Sequence, residues 1–225
     1  MLERAGPLAV LAEHQTQGKG RRGREWVSPF AQNIYLSYAL PVSQGLSQID
    51  GLSLVVCVAV SQAIQRATGI CAMLKWPNDV LINDSKVAGI LLELVGDPVE
   101  LCHVVIGIGV NLNMLDSFGG IDQQWTSLAK EVGDVVDRTS FARILLEELD
   151  VYLDNQAKYG FSSLRAEWLE LHAWQQRNVL LHMGHESVNG VVAGIGDKGE
   201  LCLLVDGKER KYLGGELSLR LNHAT

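Results

Sequence analysis

The sequence predicts an α+β fold, in which a mixed β-sheet packed with helices is followed by a small β-barrel. Up to about residue 175, short apolar strand-like runs alternate with longer segments of helical periodicity. From about Arg177 the pattern changes to short strands separated by glycine turns. We therefore predict a first domain at 1–175 and a second at 176–225, with the boundary near Ala173–Arg177.

The strands of the first domain are predicted from apolar runs and from alternation. Pro7–His14 is a short apolar run, which predicts a buried strand. Asn33–Leu40 places apolar residues at every second position, and Pro41 is expected to end it. Further strands are predicted over Cys71–Trp76, Val80–Ile82, Lys86–Val95 and His103–Asn111, with a hairpin across the turn Asn83-Asp84-Ser85.

The helices are predicted from spacing and end signals. Gly51–Ala67 is apolar over most of its circumference, with Asp50 or Ser47 as its capping residue and Gly69 as its stop. The other two helices are predicted over Thr139–Tyr159 and Ser162–Ala173.

The second domain is predicted to be a small barrel. Its strands are short, and the loops between them contain the glycines and aspartates of hairpin turns. The predicted strands are Val179–His182, Val188–Ile195, Leu201–Val205, Lys208–Leu213 and Leu217–Arg220.

Composition limits the classes of function. The formal net charge is -7, which argues against general nucleic-acid binding. The four cysteines are scattered without metal-ligand or redox spacing, so we expect reduced thiols in a cytoplasmic protein without a resident metal. We see no signal peptide, and no apolar run is long enough to span a bilayer.

The most informative segment is Gly18–Arg24, which contains only glycine, arginine and lysine. Glycines allow close backbone approach to a ligand, and the cations bind phosphate or carboxylate. Gly18, Gly20 and Gly23 fit the dinucleotide fingerprint, but that fingerprint requires a helix to follow, and here a proline and a strand follow instead. We therefore predict an anion-binding loop, with a solvated basic turn as the alternative.

Three further blocks accompany the loop. Lys75 ends an apolar strand before the turn Pro77-Asn78-Asp79, where it either reaches a ligand or is an ordinary edge lysine. Ala88-Gly89 lies in mid-strand, which indicates close ligand approach or a bulge. In Gly107–Asn113, two glycines weaken a buried strand, so something should gain from the space they leave. A flat ring against bare backbone is one explanation, and Asn111 would then be available for a base edge.

Together these blocks resemble the biotin protein ligase family. The resemblance implies a class II synthetase-like catalytic domain followed by an SH3-like domain. It also implies that biotin and ATP, with Mg²⁺, form biotinyl-5′-adenylate, which then biotinylates a lysine of the biotin carboxyl carrier protein of acetyl-CoA carboxylase or a related carboxylase. The blocks follow the family order: Gln15, Gly18–Arg24 and Trp26, then 75–79, 86–93 and 107–113, and finally Gly214–Arg220.

The resemblance also implies roles for individual residues. Lys75 and Arg21 are expected to be catalytic, with Lys75 touching both the biotin carboxyl and the α-phosphate. Trp26 and Asn111 are expected to line the nucleotide half. The residues expected to hold biotin and its adenylate are Gln15, Gly18, Lys19, Gly20, Arg21, Arg24, Lys75 and Gly89.

The sequence departs from the family pattern in two places. Family members carry a Ser-Thr-Asn segment upstream of the loop, whereas no such triad precedes Gly18 here. A non-catalytic biotin- or carrier-binding remnant therefore stays open, as does a ligase or transferase for lipoate. No helix-turn-helix precedes the loop, so a DNA-binding repressor role is not expected. A homodimer is possible through an edge strand such as Lys86–Val95.

Overall fold

The computed structural model describes residues 6–42, 49–96, 102–117, 119–214 and 217–222. Ser47 and part of the Gly214–Arg220 block lie outside them. The strands are β1 (Leu8–Ala12), β2 (Ile34–Val42), β3 (Met73–Lys75), β4 (Asp79–Ile82), β5 (Ser85–Gly96), β6 (Cys102–Val110), β7 (Asn178–Met183), β8 (Glu186–Ile195), β9 (Leu201–Val205), β10 (Lys208–Tyr212) and β11 (Leu217–Leu221). The α-helices are α1 (Leu52–Thr68), α2 (Leu128–Val132), α3 (Arg138–Tyr159) and α4 (Arg165–Glu170), with 3-10 turns at Arg21–Gly23 and Phe161–Ser163.

The larger sheet has the strand order β1-β2-β6-β5-β4-β3. Each neighbouring pair of strands is antiparallel, which is typical of the α+β class and confirms that prediction. The predicted mixture of parallel and antiparallel strands is not found among these named strands. Among the described residues, parallel pairing is confined to isolated bridges, Leu74 with His172 and Lys86 with Trp125. The predicted β4–β5 hairpin is present, and Asn83 and Asp84 turn it with positive φ angles.

Helix α1 fills the core against this sheet. It contacts β3, β4 and β5, and α3 packs against it. Gly69 ends α1 in the left-handed conformation at φ 75°, as predicted. The predicted cap by Asp50 is wrong, because Gly51 is the N-cap residue and no side chain caps the helix.

Several other sequence predictions need correction. β1 is largely exposed rather than buried, since it lies at the edge of the sheet. Pro41 does not end β2, which continues to Val42, because the missing N–H of a proline is tolerated where the ladder does not need it. The third predicted helix is shorter and is preceded by a 3-10 turn, and the short helix α2 was not predicted.

The smaller sheet has the order β10-β9-β8-β7-β11, with all its pairs antiparallel. All five strands were predicted. Its apolar face joins the same hydrophobic cluster as the larger sheet and its helices. Trp76 also links the two, since its Nε1 donates to the carbonyl of Gly199 at 3.1 Å in the β8–β9 turn. The proposed domain boundary stays a prediction.

The dimer prediction depended on Lys86–Val95 being an edge strand, and this holds for only part of β5. β5 pairs with β4 between Ser85 and Gly89 and with β6 from Ala88 onward, so it has a named strand on both sides only at Ala88 and Gly89. Beyond Gly89, its pairing with named strands is to β6 alone. In the described part of the chain, no helix is both long enough and apolar enough to cross a membrane.

Candidate active site

A cavity of about 300 Å³ opens on the larger sheet, beside the glycine-basic loop. Its walls come from the loop and Trp26, from β5 and β6, and from the segment 120–125. Four basic side chains line it, Lys19, Arg21, Arg24 and Lys86. The volume is at the small end of the range for ligand sites, and the cations suit an anionic ligand.

The glycine-basic loop is a short hairpin rather than an open turn. Trp26 N donates to the Gly18 carbonyl at 2.9 Å, and Gly20 N donates to the Arg24 carbonyl at 2.7 Å. A Cβ on Gly18 would lie 2.4 Å from the Trp26 carbonyl oxygen, so only glycine fits there. Gly18 therefore shapes the loop from a buried position, outside the cavity lining.

Trp26 lies on bare backbone at the floor of the cavity. Gly89 and Gly109 face each other across β5 and β6. A Cβ on Gly109 would lie 2.4 Å from the Trp26 ring, and one on Gly89 would lie 3.1 Å from it. A flat ring is one explanation for the glycines at 107 and 109; at Gly109 that ring is the Trp26 side chain of the protein itself, whereas a Cβ on Gly107 would meet Leu91. Its Nε1 is buried without a hydrogen-bond partner among the described residues.

A buried carboxylate joins two lysines beside this floor. Asp79 Oδ1 accepts from Lys86 Nζ at 2.6 Å, and its Oδ2 accepts from Lys75 Nζ at 3.1 Å. Burial raises the pKa of Asp79, but the two ammonium groups outweigh it and lower that pKa from 3.8 to about 2. Burial lowers the pKa of Lys75, and Asp79 opposes that change. Asp79 is therefore a fixed anion that holds two cations.

The two lysines face different spaces. Lys86 lines the cavity, and its Nζ lies 5.4 Å from the Trp26 ring centroid. Lys75 does not line the cavity; it borders a small adjacent cleft of about 20 Å³, together with Arg21, Arg24 and β11 residues. The structure thus places Lys75 one side chain, that of Asp79, away from the cavity, whereas the resemblance implies direct contact of Lys75 with the biotin carboxyl and the α-phosphate.

Arg21 connects the loop to the turn before β4. Its guanidinium donates to Asn78 Oδ1 at 3.1 Å, and Asn78 in turn donates to the Ile90 carbonyl at 2.7 Å. Burial lowers the pKa of Arg21, Asp79 opposes this, and Arg24 adds to it. The guanidinium stays charged, because its ordinary pKa lies far above neutrality.

Asn111 has a structural task as well as a cavity position. Its Nδ2 donates to the carbonyls of Lys86 at 3.4 Å and Thr126 at 3.0 Å. Both amide hydrogens are used, so a contact with a base edge would fall to Oδ1. This side chain ties Thr126, the residue that follows the segment 120–125, to β5.

Most of the predicted site residues come together. The predicted residues that line the cavity are Gln15, Lys19, Gly20, Arg21, Arg24, Trp26, Gly89 and Asn111; Gly18 and Lys75 lie beside it.

Sequence reasoning missed two of the residues that matter most here. Asp79 lies in the block 75–79 and Lys86 in the block 86–93, but nothing in the local sequence indicates which face of its strand each side chain takes. It also missed Trp125, which lines the cavity and carries Lys130 Nζ 3.7 Å above its ring centroid. Among the described residues, no group of three or more His, Cys, Asp or Glu side chains forms a metal site.

Comparison with known proteins agrees with the geometry. Residues 2–111 match the Biotin/lipoate A/B protein ligase family. The chain is 36% identical over 225 residues to the bifunctional ligase/repressor BirA of Escherichia coli, covering 98% of this chain and 70% of that protein. It is 37% identical to a biotin--[acetyl-CoA-carboxylase] ligase of Paracoccus denitrificans, covering 88% of this chain and 85% of that protein.

A solved structure has a similar fold. The biotin protein ligase from Aquifex aeolicus in complex with biotin and ATP superposes with a TM-score of 0.85 at 30% identity. The match covers 95% of this chain and 89% of the Aquifex chain.

Proposed function

This chain belongs to the biotin protein ligase family, and we propose that its cavity activates biotin with ATP and transfers the biotinyl group to a carrier protein. In the first step, a biotin carboxylate oxygen attacks the α-phosphorus of ATP, and pyrophosphate leaves. In the second, a lysine amine of the carrier attacks the biotinyl carbonyl, and AMP leaves.

The observation that carries this proposal is the cluster of fixed cations at the cavity. A carboxylate and a phosphate repel each other, so charge is the main barrier to the first step. Lys86 is held by Asp79, and Arg21 is held by Asn78, so both cations are oriented before a ligand arrives. Preorganised charge of this kind lowers a barrier without reorganisation during the reaction.

We assign the contact with the reacting groups to Lys86 and Arg21. Lys86 borders the cavity directly, whereas Lys75 reaches it through Asp79. Lys75 remains in the proposed machinery as the residue that fixes Asp79, while Gly18 gives the loop its shape. The other proposed contacts are Gln15, Lys19, Gly20, Arg24 and Gly89 for biotin and its adenylate, and Trp26 and Asn111 for the nucleotide.

The remaining assignments follow from the same chemistry. Mg²⁺ would enter with the ATP triphosphate, as part of the substrate. The acceptor would be the biotin carboxyl carrier protein of acetyl-CoA carboxylase or of a related carboxylase. The reaction would take place in the cytoplasm, where both the carrier protein and ATP are present. A homodimer would use the edge of β5 beyond Ile90, where β6 is the one named strand paired with it among the described residues and where Leu94 and Val95 are exposed.

The test is biotin-dependent pyrophosphate release from ATP by the purified chain, with lipoate and no added acid as controls. Release with biotin alone supports the proposal, and release with lipoate alone makes the chain a lipoate ligase. Binding of biotin without release from any acid identifies a non-catalytic remnant.

A second measurement tests the assignment of the two lysines. Lys86→Met is expected to slow adenylate formation at least a hundredfold, and Lys75→Met to slow it less. Lys158→Met is the control, because that lysine is exposed on α3. A larger loss from Lys75→Met than from Lys86→Met would return the substrate contact to Lys75.

A further inference from the structure

The segment between α4 and β7 is bound to the strand that carries Lys75. Leu74 N donates to the Leu171 carbonyl at 2.7 Å, and Ala173 N donates to the Leu74 carbonyl at 2.9 Å. These bonds attach the segment to β3 one residue before Lys75. They also place the next residue of the segment, Trp174, beside the lysine side chain.

Trp174 and Lys75 form a buried cation–π contact. Lys75 Nζ lies 4.9 Å from the centroid of the Trp174 ring, and Trp174 is 7% exposed. The other charged groups acting on Lys75 are Asp79, which attracts it, and Arg220 and Lys86, which repel it. An aromatic face adds attraction without adding a charge, and such contacts are stronger when water is excluded.

We propose that Trp174 is a positioning residue: it holds the Lys75 ammonium against Asp79 and so fixes Lys86 in the cavity. The inference rests on the proposed function, in which Lys86 faces the reacting groups. Asp79 binds one lysine through each carboxylate oxygen, so the orientation of the carboxylate depends on both. A displaced Lys75 frees the carboxylate to rotate, and Lys86 loses its fixed partner.

The contribution of Trp174 at this position comes from its aromatic face, beyond the apolar volume that any large side chain would fill. Trp174 Nε1 is buried and has no hydrogen-bond partner among the described residues, so its polar atom adds no contact there. Phenylalanine keeps an aromatic face at this position, and leucine keeps only apolar volume. Trp168 on α4 is a second buried tryptophan, more fully buried than Trp174, and its ring contacts His172, at 4.6 Å between centroids.

The kinetic test compares Trp174→Leu, Trp174→Phe and the control Trp168→Leu in single-turnover adenylate formation at saturating biotin and ATP. We expect Trp174→Leu to slow this step about tenfold, Trp174→Phe about threefold or less, and Trp168→Leu to leave it unchanged while lowering thermal stability. In a Lys75→Met background, Trp174→Leu should cause no further loss, because the residue acts through Lys75. An equal loss in both backgrounds overturns the proposal.

A second readout does not need ligase activity. Competitive labelling with acetic anhydride, followed by mass spectrometry, reports the reactivity of the Lys75 amine. Trp174→Leu should raise Lys75 labelling several-fold over the parent, with Trp174→Phe close to the parent and Trp168→Leu equal to it. Unchanged labelling in Trp174→Leu overturns the contact itself. If Trp174→Leu changes the labelling of Lys75 but the parent chain releases no pyrophosphate, then the contact between Trp174 and Lys75 is supported and the proposed ligase function is what fails. Trp174→Met replaces the leucine variant if that variant does not fold.

Discussion

Replacing Asp79 by asparagine tests the electrostatic centre of the site. The substitution keeps the shape of the side chain and removes its charge. Both lysine ammonium groups then lose their anion while their side chains are only 11% and 14% exposed. Two like charges would be left close together in a place with little water to solvate them.

The size of the effect follows from the titration of Asp79. Burial raises the pKa of this carboxyl, but Lys86 and Lys75 lower it overall from 3.8 to about 2, which corresponds to roughly 2–3 kcal/mol of net stabilisation of the charged form. Removing one partner of a buried ion pair costs about 3–5 kcal/mol in other proteins. We therefore expect Asp79→Asn to lower the free energy of unfolding by about 3 kcal/mol at pH 7. For a chain of this size, Tm should fall by roughly 6–12 °C.

The assay is urea unfolding of the parent, Asp79→Asn and the control Asp116→Asn, which removes an exposed carboxylate and gives the same change in net charge. The folded-state pKa of Asp79 is depressed. Its contribution is therefore present above the unfolded-state value near 4 and is lost as the pH falls towards 2. The gap between parent and variant should narrow over that window. A loss at pH 7 no larger than that of Asp116→Asn refutes the reasoning.

Three further substitutions probe other contacts. Gly109→Ala places a methyl group 2.4 Å from the Trp26 ring, so we expect the KM for ATP to rise about tenfold or more with biotin binding retained; unchanged kinetics would show that the ring moves freely. Arg21→Gly removes a cation from the cavity wall, and biotinyl-adenylate should appear in the filtrate when no carrier is present; retention equal to the parent contradicts this. Trp76→Phe removes the donor to the Gly199 carbonyl and should cost about 1 kcal/mol in urea unfolding, whereas an unchanged midpoint would mean that water replaces the bond.

The local sequence was sufficient to predict an element where the spacing of its apolar residues or its turn residues determine its conformation. α3 has apolar residues at helical spacing and was placed within one residue of its observed start. The β4–β5 hairpin was readable because Asn83 and Asp84 tolerate positive φ. β1 was mistaken for a buried strand because its apolar residues lie at a sheet edge, and edge position is a property of the topology.

The chemistry of the site was readable from composition, but the direction of its side chains was not. The glycine-basic loop and the glycines of β5 and β6 pointed to an anion and a flat ring. Which lysine faces the cavity depends on strand register, and the register shifts between Val80 and Leu81 in the β4–β5 pair. Because one residue of slip moves a side chain to the opposite face, the roles of Lys75 and Lys86 needed the structure.

The position of Trp26 sets a condition on nucleotide binding. The ring covers the trough between Gly89 and Gly109, so a base that lies flat on this backbone must displace the ring, and otherwise the base stacks on the outer ring face. In both cases the ring is coupled to the loop, because Trp26 N donates to the Gly18 carbonyl. A movement of Trp26 therefore pulls on the hairpin that carries Lys19, Arg21 and Arg24. The same glycines that admit the ring thus couple the nucleotide end of the cavity to its cations.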